Sequence, residues 1–216
     1  MTYLKCRQRK EKVNKPEKDV NETADIIKRG GVVIFPTDTV YGIGVLPEKK
    51  PVERLYEIKK RDSSKKMIAL IDNLDTVREI VDETEENMRK IGKVLDTFWP
   101  GELTVIFKAD KKFTEKFDES MDTVGIRIPE NETALKIIKA AGGVVLTTSA
   151  NISGEEAVKK FEDINEKLLS NVDGVVKDAS VLTGVPSTII KYEKGKITLL
   201  RKGNIEIEKI KKLMKG

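Results

Sequence analysis

Two apolar runs in this chain end in clusters of hydroxyls. Val33-Ile34-Phe35-Pro36 passes into Thr37-Asp38-Thr39-Val40-Tyr41-Gly42, and about a hundred residues later Val144-Val145-Leu146 passes into Thr147-Thr148-Ser149-Ala150-Asn151. Short apolar runs of this kind, rich in β-branched residues, suit buried strands. Thr, Ser, Asp and Asn bounded by Pro and Gly cannot enter a core without hydrogen-bond partners. The pattern therefore predicts strands that stop at a crevice and deliver polar groups into it from a rigid element. That layout suits a small-molecule site.

The rest of the chain supplies the cover for such strands. Asn21 is a candidate cap for a helix running to about Arg29, which Gly30-Gly31 ends. Helical spacing recurs over 51–60, 74–81, 85–98, 132–141 and 205–214, and strand patterns fall at 68–71, 103–107, 124–128, 175–176, 188–190 and 196–200. This interleaving predicts an α/β (α+β) fold, a twisted mixed sheet covered by helices, with the strand order left open. At 216 residues the chain is expected to form one domain over 19–216. The formal charge of +5 resides in an N-terminal tail: residues 1–18 hold seven Lys/Arg against two Asp/Glu, leaving 34 of each in the body. A solvated basic arm is the expected reading, and contact with tRNA or structured RNA is its alternative.

Composition excludes whole classes of chemistry. With no histidine, neither a Ser-His-Asp triad nor a Cys/His zinc site can form. The lone Cys6 rules out an intramolecular disulfide and agrees with a reducing compartment. No apolar stretch approaches a membrane span, and the basic N-terminus has no apolar core behind it, so a cytoplasmic protein without a membrane partner is expected. Gly42-Ile43-Gly44 lacks the third glycine of a dinucleotide fingerprint, and no GxxxxGK[ST] loop occurs. A bound nucleotide would have to be held by side chains and strand-end amides.

Side chains for that task are present. Lys59, Lys60, Arg61, Lys65 and Lys66 place five cations against one Asp within eight residues, enough for a polyphosphate and equally what a solvated helix end can carry. Arg127 interrupts the apolar strand Val124-Gly125-Ile126-Arg127-Ile128, where it must meet a carboxylate, either a ligand's or one of the chain's own. Thr37, Thr39 and Tyr41 alternate as one face of a strand would, with Asp38 and Gly42 suited to a turn.

The ten-residue run at Val33–Gly42, the K-x-R of Lys59 and Arg61, the S-x-N of Ser149 and Asn151, and Leu200-Arg201 together resemble the YrdC-type family of threonylcarbamoyl-AMP synthases, over roughly Asn21 to Asn204. The resemblance implies a YrdC-like sheet with an open concave face. It also implies synthesis of threonylcarbamoyl-AMP from L-threonine, bicarbonate and ATP, with magnesium carried in on the nucleotide. By the same likeness Lys59, Arg61, Ser149 and Asn151 form a catalytic tetrad around the phosphates. Arg61, Lys65, Thr123, Ser149, Ala157 and Arg201 contact ATP, and Thr39, Leu70, Arg127 and Thr147 contact threonine. The product would pass to a threonylcarbamoyl transferase complex that modifies tRNA. Members usually read K-G-R-P where this chain has Lys59-Lys60-Arg61-Asp62, and Asn-Pro-Leu where it has Lys65-Lys66-Met67, which predicts a loop of altered shape. The rival reading is an RNA-binding module of the same fold without catalysis.

Overall fold

Helix α1 (Val20–Lys28) starts at Asp19 and not at the expected Asn21, because the Asp19 carboxylate accepts the Glu22 N–H at 2.8 Å and so claims the capping role two residues earlier. It ends as predicted: Gly30, at φ +80°, takes the left-handed position that lets its own N–H and that of Gly31 return to the carbonyls of Ile27 and Ile26. The computed structural model describes residues 18–177 and 181–215, so all but the last residue of the basic tail lies outside them. The order continues β1 (Val33–Pro36), β2 (Tyr41–Val45), α2 (Lys49–Lys59), β3 (Ile68–Ile71), α3 (Val77–Ile80), α4 (Glu85–Phe98) and β4 (Leu103–Lys108). Then follow α5 (Lys111–Thr114), β5 (Thr123–Arg127), α6 (Glu132–Ala140), β6 (Val144–Ser149), α7 (Glu166–Asn171), β7 (Gly174–Val175), β8 (Thr188–Glu193), β9 (Lys196–Arg201) and α8 (Ile207–Lys215).

The nine strands among the described residues form one mixed sheet in the order β7-β1-β2-β6-β3-β5-β4-β8-β9. Strands β1 and β7, β3 and β5, and β4 and β8 run parallel, and the remaining neighbours run antiparallel. Side-chain alternation divides the sheet between two cores. Ile34, Ile43, Ala69, Leu146, Ile126, Val105 and Ile190 face a large apolar layer that includes Val52 and Leu55 of α2, Ile91, Val94 and Leu95 of α4, Leu168 of α7 and Ile210 of α8. Val33, Phe35, Leu70 and Val145 face a smaller layer made by Ala24 and Ile27 of α1 and Ala134, Ile137 and Ile138 of α6. The two helices of this second layer contact β1, β3, β6 and β7. Beyond them the same face forms the floor of the site, to which β5 and β8 contribute Arg127 and Ile189.

Candidate functional site

The floor owes its position to strand parity. With Val124 and Ile126 committed to the large core, Thr123, Gly125 and Arg127 point the other way; Thr104 and Ile106 of β4 and Ile189 of β8 follow by the same alternation. A cavity of about 290 Å³ lies over this floor, at the small end of the range for ligand pockets. Among its lining residues are Thr39, Gly42, Arg61, Lys66, Leu70, Arg127, Thr147, Ser149, Ser187 and Arg201. Gly42 is there for close approach and not for a turn: a Cβ on it would lie 2.9 Å from Thr147 Cγ2.

The expected single strand face of Thr37, Thr39 and Tyr41 is not formed. The chain turns over Thr37–Val40, and Tyr41 opens β2, which pairs back on β1 as a hairpin with Phe35 opposite Gly42. Hydroxyls cause the turn. Thr37 Oγ1 donates to the Val40 carbonyl at 2.7 Å and accepts the N–H groups of Thr39 and Val40 at 3.2 and 3.3 Å, so a side chain takes over the bonds a ladder would have made.

Arg127 finds its carboxylate within the chain. It pairs with Asp38 across the turn, Nη1 donates to Thr39 Oγ1 at 3.0 Å, and Nε donates to the Gly101 carbonyl at 2.9 Å. Thr39 can pass the polarisation on to Thr37 Oγ1, 3.1 Å away, which makes a buried chain of donors ending at the Val40 carbonyl. Three of the five N–H groups of the guanidinium are thereby engaged, and its plane is held from three sides.

Arg61 and Arg201 are differently placed: among the described residues neither makes an ion pair. Arg61 donates to the carbonyls of Lys65 and Lys66 at 2.8 and 3.0 Å, which folds the loop beyond α2 around it. Arg201 donates to the carbonyl and the hydroxyl of Ser187 at 2.9 and 3.1 Å. A β-bulge aims it there, since Leu199 stands opposite Ile190 and Arg201 opposite Ile189, which turns Arg201 toward the same cavity as Ile189. Burial pushes the Arg61 guanidinium down; burial and then the charge of Arg127 do the same to Arg201. Arg61 and Arg201 thus stand half-dry in the pocket without counter-charge, whereas Arg127 and Lys66 on the same wall are paired with Asp38 and Asp118. No carboxylate lines it among the described residues.

Lys60, at φ +50°, stands in the left-handed conformation at the end of α2, with its N–H on the Glu57 carbonyl and that of Arg61 on the Tyr56 carbonyl. Lys60 thus takes, at some conformational cost, a turn that glycine makes easily. Lys59 is 1% exposed and lies behind the wall, its ammonium donating to the Ser149 carbonyl and, at 3.4 Å, to Thr148 Oγ1. Asn151 is also buried; its amide donates to the carbonyls of Ile152 and Glu155, while Oδ1 has no partner among the described residues. Lys65 is exposed and contributes its carbonyl to Arg61. Thr123 lies at the outer end of β5, facing as Arg127 does, and Ala157 belongs to the segment whose Val158 carbonyl accepts the Tyr41 N–H.

Thus Arg61, Ser149, Arg201, Thr39, Leu70, Arg127 and Thr147 meet on one cavity, whereas Lys59, Lys65, Thr123, Asn151 and Ala157 do not line it. Ser187 and Lys66 are wall residues with no assigned role in the sequence reading. Only Lys66 carried a signal, its place in the cation cluster.

Residues 25–203 match the Sua5/YciO/YrdC family model, described as telomere recombination. The chain belongs to this family. A protein of Methanocaldococcus jannaschii is 35% identical over 186 residues, 85% of each chain. The threonylcarbamoyl-AMP synthase of Pyrococcus abyssi is 30% identical over 192 residues, 88% of this chain and 56% of its own length, so the chain spans little more than half of that relative. The P. abyssi Sua5 structure complexed with L-threonine superposes with a TM-score of 0.82 at 29% identity, covering 90% of this chain and 56% of that one. The family's fold and the mixed, helix-covered sheet agree with the fold class read from the sequence.

Proposed function

We propose that the chain makes threonylcarbamoyl-AMP and pyrophosphate from L-threonine, bicarbonate and ATP. The observation that carries this reading is the pair of uncompensated guanidinium groups, Arg61 and Arg201, facing a hydroxyl-lined cavity that also holds the anchored Arg127. The names of the P. abyssi relative and of the threonine-bound structure support it. The threonine amine and bicarbonate give a carbamate with loss of water. A carbamate oxygen attacks the α-phosphorus, the bond to the bridging oxygen breaks, and pyrophosphate leaves with the electron pair. Such a transfer depends on alignment and on positive charge where negative charge grows, not on a histidine.

In this reading Arg61 and Arg201 receive the phosphates, Ser149 orients them, and Arg127 offers its remaining N–H groups to the threonine carboxylate beside Thr39 and Thr147. Lys59 and Asn151 act as positioning residues, the first by holding the Ser149 carbonyl and the second by fixing the turn after β6. The cavity presents hydroxyls and no carboxylate, so magnesium enters as part of the nucleotide, held by phosphates and water. The adenylate is destined for a tRNA-modifying threonylcarbamoyl transferase complex in the cytoplasm. Among the described residues no helix is long and apolar enough to cross a membrane.

Threonine is expected to be used over valine by about two orders of magnitude or more in kcat/KM, because hydroxyls in a polar pocket are left unpaired by the isostere. Turnover measured with both amino acids checks this. Equal rates would remove threonine from the assignment.

A further inference from the structure

The cations of the pocket differ in how firmly each is held. Arg127 and Asp38 form a buried pair, their side chains 4% and 10% exposed, and two further N–H bonds pin the arginine. Lys66 lines the same cavity, but among the described residues its ammonium bonds only to Asp118 Oδ2, 2.7 Å away, in a pair whose side chains are 41% and 28% exposed. From this contrast, and resting on the function proposed above, we infer that Lys66 is an exchangeable phosphate ligand of the nucleotide site, held in reserve by Asp118.

A half-exposed Lys–carboxylate pair contributes little, on the order of 0–1 kcal/mol, so an incoming polyphosphate can displace Asp118 at small cost. Lysine suits the exchange because its ammonium turns freely on a flexible stem, whereas a guanidinium fork locked on three sides cannot. The loop keeps the stem in place in either state: Arg61 Nη2 holds the Lys66 carbonyl at 3.0 Å, and Met67, next in sequence, is buried. Asp118 is itself fixed, since its other oxygen accepts the N–H of Ser120 at 3.1 Å, so it waits in position when the lysine leaves. Lys65, the neighbour in the cation cluster, is not among the residues that line the cavity. The charge at position 66 is thereby assigned a use: it adds a third cation to the phosphate half of the cavity.

Opposite signs at the two residues test this. ATP affinity is measured by isothermal titration for the wild type, Lys66→Met, Lys66→Arg, Asp118→Asn and the double variant Lys66→Met/Asp118→Asn, with inorganic tripolyphosphate as a second probe and melting curves as controls. Lys66→Met should weaken both ligands about three- to tenfold, a charge-assisted bond discounted for exposure, and Lys66→Arg should restore most of it. Asp118→Asn keeps the acceptor for Ser120 while freeing the lysine, and should tighten both ligands by up to about fivefold. The double variant should match Lys66→Met. If Asp118→Asn weakened binding as Lys66→Met does, the pair would be a strut for the loop and the inference would be overturned. If the wild type bound tripolyphosphate with these fold-changes but did not bind ATP, Lys66 would stand as an anion ligand and the nucleotide reading would fall. If neither probe bound the wild type, both would fall.

Discussion

Arg127→Met is expected to lower stability by about 3–5 kcal/mol, far more than a surface substitution would, because it leaves the Asp38 carboxylate buried without its cation. The Gly101 carbonyl and the Thr39 hydroxyl lose a donor in the same step. Pairing it with Asp38→Asn should recover most of the loss, since no charge is then stranded. Threonine-dependent turnover should remain lost in the double variant, because the N–H groups assigned to the ligand carboxylate are gone. Urea denaturation gives the first quantity and the KM for threonine the second. Stability that stayed low in the double variant would show that Asp38 is not the partner that matters, and threonine use that returned with it would end the role given to Arg127.

Lys59→Met is expected to act in the opposite direction on the fold. The ammonium is buried and makes no ion pair among the described residues, and burial, followed by the charge of Arg61, lowers its pKa from 10.5 to about 7. Below about pH 7 the lysine is charged in both folded and unfolded chains and the fold bears the full penalty. Between about 7 and 10.5 the unfolded chain binds the proton and the folded chain does not, so stability rises with pH. Above 10.5 neither form is charged. The variant should therefore be at least as stable as the wild type at neutral pH, and the difference between them should shrink as pH rises through that window. It should also lose turnover, because the Ser149 carbonyl loses its anchor; a stabilised fold with a poorer site is the usual trade at functional positions. Melting curves at pH 6.5, 8 and 9.5, compared between the two proteins, carry the test. A variant destabilised equally at every pH would mean that the buried ammonium is not a liability.

The sequence made the elements with strong periodicity readable. The Glu85–Phe98 helix and the Ile68–Ile71 strand have the ends expected of them, because each combines a long or fully apolar pattern with clear breakers. Asp19 displaced Asn21 as a cap because two good acceptors stood two residues apart and only packing decides between them. The four-residue helix α5 and the six-residue α7 are too short to show a period. The hairpin between β1 and β2 was half legible. Thr37, Thr39 and Tyr41 have the composition of a strand and Asp38 that of a turn; the turn is formed, and the bonds from Thr37 Oγ1 to the backbone close it.

The site was legible where it is local and obscure where it is not. Residues carried by the strand ends, Thr39, Thr147 and Ser149, meet as their positions suggest. The partnership of Arg127 with Asp38 spans 89 positions, and no periodicity in the chain links them. Arg201 faces the cavity through a bulge at Ile189/Ile190, a feature with no glycine to mark it. Lys65 and Lys66 are alike in sequence, and only the fold of the loop places Lys66 and not Lys65 on the cavity wall.

The central claim, that this cavity adenylates an amino-acid carbamate, is tested most directly by following pyrophosphate release from magnesium-ATP while threonine and bicarbonate are added singly and together. Release should require both, and Arg61→Ala should slow it about ten- to a hundredfold, the loss of one charge-assisted bond to a bound anion. Pyrophosphate released at the same rate without threonine, or no release with all three substrates present, would contradict the account.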